Sequence, residues 1–197
     1  MERYYAIELS NDVYPGMEKY YGFSDMDISF LCAIESLLTN TTIDRIFTRE
    51  LCKVAHKGKD YFYHYYKNKR ALIDHLTQKI CQFLASQLRV EDGKVLIDLD
   101  EEKILFMLTW SELFPGFRKI VVSQMKTDRK SYATEEFLLL SCGLSWEQVN
   151  RFIIVRYGIK GAIDSWLFSS MQTNRGIKES AIYLANEIKS LTDWINR

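Results

Sequence analysis

Two short stretches decide the fold. They are Thr48-Arg49-Glu50-Leu51-Cys52-Lys53-Val54-Ala55 and, beyond His56-Lys57-Gly58, Lys59-Asp60-Tyr61-Phe62-Tyr63-His64-Tyr65-Tyr66. Thr48 opens a short helix whose apolar members are Leu51, Cys52, Val54 and Ala55. His56-Lys57-Gly58 interrupts it tightly, and a second short helix is expected from Lys59 to about Tyr65. Upstream, Ser24 can cap a helix with Asp27 three residues later in a near capping box, and Phe30, Ile34, Leu37 and Leu38 share one helical face. Downstream, Lys67-Asn68 breaks the chain before a longer helix with Leu72, Leu76, Ile80, Phe83 and Leu84 on one side. At the helical rise, some twenty residues there would span about 30 Å. Two short helices around a tight turn, with one helix before and one after, form the pattern of a helix-turn-helix.

Working outward, residues 1–23 show no clean period and contain the Pro15-Gly16 turn signal, so they read as an extension of low order. Glu91-Asp92-Gly93 ends the long helix, and Lys94 to Leu99 alternates as a short extended connector. Helical patterns resume over Asp100 to Phe114, where Asp100, Glu101 and Glu102 suit a first turn. Pro115-Gly116 separates these from a helix through Phe117, Val121 and Met125. Glu135 to Cys142 follows a polar loop, with Gly143 as a C-cap. Ser145 caps a helix from Trp146 to about Ser170, and the last helix carries Ile177, Ala181, Leu184, Ile188, Leu191 and Ile195 on one stripe.

The 197 residues, 47% of them hydrophobic, are enough for one or two domains with a proper core, and too apolar for a disordered segment. Two prolines and nine glycines speak against turn-dense all-β architectures. Uncharged runs reach only about ten residues, against the roughly 20 that a membrane-spanning helix needs. Met1 to Asn11 lacks the basic start and apolar stretch of a secretory signal. Cys32, Cys52, Cys81 and Cys142 form no CxxC pair, which suits a reduced, cytoplasmic protein. Formal charge is zero overall, 26 against 26. That balance hides an asymmetry. Residues 1–40 hold seven acidic and two basic side chains, whereas residues 41–70 hold eight basic and three acidic, interleaved with Tyr61, Phe62, Tyr63, Tyr65 and Tyr66.

The stretches Thr48 to Ala55 and Phe62 to Leu72 resemble the N-terminal domain of TetR-type transcriptional regulators. That family's pattern is a T-x-x-x-[IL]-A helix, a turn, an aromatic-rich helix ending in Y-x-[HY]-[FY], then K-x-x-L, and the spacing matches without a gap. Tyr157-Gly158-Ile159-Lys160-Gly161 followed by Ser165-Trp166-Leu167 is similar to a helix in many members' C-terminal domains. The turn departs from the pattern. His56 stands where the family has Gly, Lys57 where it has an apolar residue, and Gly58 where it has a capping Ser or Thr. Phe47 replaces a Thr before the first helix, and the N-terminal extension is acidic rather than basic.

The resemblance implies an all-α chain: an extension over 1–23, a three-helix helix-turn-helix DNA-binding domain over 24–72, and a helical ligand-binding and dimerisation domain over 73–197. It implies double-stranded DNA and a second copy of the chain as partners, and repression as the function. Its DNA contacts fall on Thr48, Arg49, Lys57, Lys59, Asp60, Tyr61, Tyr63, His64 and Lys69. Arg49 reaches a base edge or a phosphate, its alternative being an ion pair with Glu50 or Asp44. Tyr61 and His64, three apart, share a face and read bases with Lys59 and Asp60, while Tyr63 and Lys69 clamp phosphates. Phe62 and Tyr66 read as core. A small, apolar ligand is expected among Phe106, Trp110, Phe114, Gln124 and Tyr157, with polar groups used sparingly for orientation. No histidine or cysteine spacing suggests a metal, no cofactor is implied, and no GxGxxG, GxxxxGK[ST] or GxSxG supports an enzyme. The alternative function is a regulator on the same scaffold, weakened in DNA binding at His56, Lys57 and Gly58 and controlled by a protein partner.

Overall fold

A computed structural model describes residues 14–127, 143–154 and 176–197. The described chain is mostly helical, with one two-stranded antiparallel sheet. Residues 14–21 form α1, followed by α2 (Asp25–Leu38), a 3-10 turn (Ile43–Arg45), α3 (Thr48–Val54), α4 (Lys59–Tyr65) and α5 (Lys69–Ser86). Then come β1 (Leu88–Glu91), β2 (Lys94–Ile97), α6 (Glu101–Leu113), α7 (Pro115–Thr127), α8 over the described residues 146–154, and α9 (Ile177–Ile195). Among the described residues no helix is long and apolar enough to cross a membrane.

The chain divides into two compact units, Met1–Leu84 with Trp110–Lys126, and Ala85–Thr109 with Thr127–Arg197. This division differs from a head ending at residue 72, because α7 and the end of α6 pack with the N-terminal helices. Glu35 of α2 caps α7: its carboxylate oxygens each accept a backbone N–H, from Gly116 and Phe117, at 2.8 Å. Negative charge at a helix N-terminus is favourable, and the two bonds satisfy donors that the helix leaves open. Gly116 permits the approach, since an added Cβ would lie 3.0 Å from both carboxylate oxygens and from Leu38. At the other end of α7, the Gln124 side-chain amide donates to Asp74 of α5 at 3.1 Å.

The core of this first unit is aromatic. Phe30 meets Phe62 edge-on at 5.2 Å and Tyr66 at 5.9 Å. Tyr21 packs against Phe23, Phe83 and Trp110, and Trp110 stacks on Phe114. The expected low order of residues 1–23 therefore needs correction from Tyr14 onward. Met17, Tyr21 and Phe23 are buried, and that burial outweighs the Pro15-Gly16 turn signal; residues 1–13 lie outside the described residues.

In the second unit, β1 and β2 pair with Leu88 opposite Ile97 and Glu91 opposite Lys94. Asp92 and Gly93 both have positive φ, 50° and 71°, the left-handed pair that a two-residue hairpin turn requires. The expected extended connector over Lys94 to Leu99 is thus half of a hairpin, and its partner strand comes from residues read as the end of the long helix. Asn196 extends the hydrogen bonding of β2, its amide accepting from the Val95 N–H and donating to the Val95 carbonyl. Ser145 and Gln148 cap α8 reciprocally. The α9 stripe is core within this chain. Ala181 and Ile188 pack with Ile104 and Leu108, and Ile195 packs with Val95, Val149 and Phe152.

Candidate nucleic-acid interface

α3 and α4 are seven-residue helices, each too short to be stable alone. Each is held by few side chains: Leu51 and Cys52 are buried on α3, and Phe62 is buried on α4. Phe47 at the N-cap of α3 has no side-chain acceptor, but the Glu50 carboxylate accepts the Phe47 N–H at 2.9 Å. This is the half of a capping box that a Phe leaves possible.

The connection between the two helices is a Schellman motif. The His56 N–H reaches the Lys53 carbonyl at 3.3 Å and the Lys57 N–H reaches Cys52 at 2.9 Å. His56 itself takes φ 53°, the left-handed conformation normally given to Gly. His is one of the residue types enriched there, so the chain turns as sharply as a Gly would allow, at some cost in strain. Gly58, by contrast, has φ −69° and ψ 152°, extended backbone open to any residue, and provides no side-chain cap for α4.

Around this turn the chain displays its positive charge. Arg45, Arg49, Lys53, Lys59 and Lys67 are exposed, and among the described residues none forms an ion pair. The alternative of an Arg49 ion pair with Glu50 or Asp44 is therefore not formed. Asp60 and His64 are exposed on α4, opposite the buried Phe62 on the helical wheel. Flanking them are Tyr61, 46% exposed, Tyr63, 54%, and Tyr65, 55%, while Phe47 reaches 71%. Tyr61 and Tyr65 contact edge-on at 5.3 Å. A hydrogen bond with the Tyr61 hydroxyl raises the Tyr65 phenol above its ordinary value. Thr48 and Lys57 are half-buried beside this surface.

Lys69 is placed differently from the expected phosphate clamp. Its ammonium donates to the carbonyls of Ile43, Ile46 and Asp44 at 2.5, 2.8 and 3.2 Å. Three donors meet three acceptors, so Lys69 secures the 3-10 turn against the start of α5. Of the expected ligand residues, Phe106 and Trp110 are on α6, and Trp110 stacks on Phe114 with centroids 5.9 Å apart. Gln124 is engaged with Asp74, and Tyr157 lies outside the described residues. The buried Trp110 indole N–H has no hydrogen-bond partner. Sequence reasoning took Phe47 only as a departure from the family pattern and Asp27 only as part of a helix cap, and it passed over Glu35.

Comparison of the chain with protein-family models, with curated proteins and with solved structures returns no match.

Proposed function

We propose that the chain is a TetR-like, homodimeric transcriptional repressor in which α3, the His56 turn and α4 form a helix-turn-helix that docks on operator DNA. The observation that carries this reading is the unpaired basic surface around a turn of left-handed geometry, with Tyr61, Tyr63, His64 and Tyr65 displayed on α4. Phosphates are matched by Arg45, Arg49, Lys53, Lys59 and Lys67, and by tyrosine hydroxyls; base edges are within the chemistry of Arg49, Asp60 and His64. Two heads are needed to occupy paired half-sites about one helical turn apart. Exposed Trp146, Ile154, Ile182 and Trp194 in the second unit supply apolar surface for a second copy. A small apolar ligand releases the DNA by binding better to the arrangement of heads that misfits it, and the unpartnered Trp110 N–H is a donor available to orient such a ligand.

The test is selection of bound duplexes from random or genomic DNA by the full chain, with the oligomeric state read in parallel by light scattering. An enriched two-fold site and a dimer are expected. A second reading is favoured by the aromatic exposure at Phe47, Tyr61, Tyr63 and Tyr65, because aromatic residues are enriched at protein interfaces. In that reading the same face docks a protein partner, and selection returns no enriched DNA.

A further inference from the structure

One polar cluster in the first unit is used by none of the proposed DNA contacts. Asp27 of α2 is 2% exposed, and four donors converge on its carboxylate. Oδ1 accepts from the Tyr66 hydroxyl at 2.6 Å, and His75 Nε2 lies 3.0 Å from it. Oδ2 accepts from the Ser24 N–H, the Ser24 hydroxyl and Lys79 Nζ, each at 2.9 Å. Lys79 also donates to the Gly22 carbonyl at 2.6 Å. A buried charge is tolerated when it is paired and fully hydrogen-bonded, and this one is. Such a node exceeds what capping α2 requires, since Ser24 and Asp27 already complete the capping box between them.

Tyr66 gives the node its mechanical meaning. It is the C-cap of α4, its N–H closing the last turn on the Phe62 carbonyl at 2.9 Å. Between Lys59 and Tyr66 only Phe62 and Tyr66 are buried. Phe62 holds α4 to the core by apolar contact, which has no preferred direction. The Tyr66–Asp27 bond is directional, and Asp27 is itself fixed to α5 by Lys79. We infer that Asp27 is a positioning residue for α4: through the Tyr66 hydroxyl it sets the orientation at which the outer face of α4 meets its nucleic-acid target. The inference rests on the reading of α3 and α4 as the DNA-binding pair.

The test compares Tyr66→Phe with Ser24→Ala in the full chain. The first keeps the ring contacts with Phe30 and Phe62 and removes only the tether; the second also removes a donor from Asp27 but touches nothing in α4. Amide exchange is read over α4 and α3. Tyr66→Phe should speed exchange of α4 amides about tenfold relative to α3, the scale of a lost hydrogen bond to a charged group. Ser24→Ala should leave the α4 to α3 ratio unchanged. An unchanged ratio in Tyr66→Phe, or an equal rise in Ser24→Ala, overturns the inference. Should Tyr66→Phe fail to melt cooperatively, Asp27→Glu, which keeps the acceptor but displaces it by a methylene, carries the same comparison. On a selected duplex, Tyr66→Phe should weaken binding about tenfold while leaving affinity for mixed-sequence duplex and its salt dependence unaltered. Equal weakening of both overturns the positioning role. A wild-type chain that selects no duplex refutes the DNA reading alone, and the exchange ratio then decides the role of Asp27.

Discussion

Replacing His56 with Gly should stabilise this protein. His56 holds φ at 53° because the Schellman turn between α3 and α4 demands it. A residue with a Cβ gives up roughly 1–2 kcal/mol in that conformation, and His sits toward the lower end because its type is tolerated there. Glycine removes that strain but brings extra backbone freedom to the unfolded chain, which offsets about 0.5–1 kcal/mol. The net gain is at most about 0.5 kcal/mol, or up to roughly 2 °C in Tm for a chain of this size. The His56 side chain is exposed, so little packing is lost. His56→Ala separates the two contributions, because it removes the imidazole while keeping the strain. Urea and thermal unfolding of the three proteins measure the difference. Gly above His, with Ala at or below His, is expected. A Gly variant no more stable than the Ala variant would refute the argument that the turn is strained at this residue.

Glu35→Ala removes both acceptors at the start of α7 and should cost about 2–3 kcal/mol, seen in denaturant midpoints, because two charge-assisted bonds disappear together. Asp27 gives the first unit a defined acid response. Burial raises its carboxyl, but bonds from Tyr66, Ser24 and Lys79 outweigh this and hold it below the ordinary value of 3.8. A lowered folded pKa means that the stabilisation is complete above the unfolded value and disappears as pH falls through the folded one. Stability followed by circular dichroism should therefore decline below about pH 4, and Asp27→Asn should flatten that decline. Arg49→Ala should relax sequence preference in duplex selection, costing about 1–3 kcal/mol at a bidentate base contact. Lys69→Met should instead lower stability with little change in salt dependence, as expected of a side chain bound to carbonyls and not to phosphate.

Much of the fold was legible where the determinants are local. The Ser24–Asp27 and Ser145–Gln148 caps mark the starts of α2 and α8 as expected. Asn68 caps α5 through the Ala71 N–H, and α4 spans the anticipated Lys59 to Tyr65. Where distant residues decide, the sequence was silent or misleading. The Asp92-Gly93 pair was a readable hairpin signal, but Leu88 to Glu91 continued an apolar helical pattern, and strand pairing with Lys94 to Ile97 prevailed. Residues 14–21 are helical because Met17 and Tyr21 find a core built partly from Phe83 and Trp110. Asp27 bonds to residues up to 52 positions away, a separation that leaves no periodicity to detect. In the candidate interface, the charge excess over residues 41–70 was visible from residue counts, and Tyr61 and Tyr63 were singled out through the family resemblance. The role of Lys69 was not, because its acceptors are backbone carbonyls that any sequence would provide.

Duplex selection by the full chain, followed by titration of the enriched sequence at several salt concentrations, tests the central claim most directly. The account predicts an enriched two-fold site, binding by a dimer, and an affinity that falls steeply with salt as counterions are released from phosphates. A chain that is folded by circular dichroism and returns no enriched duplex would contradict it.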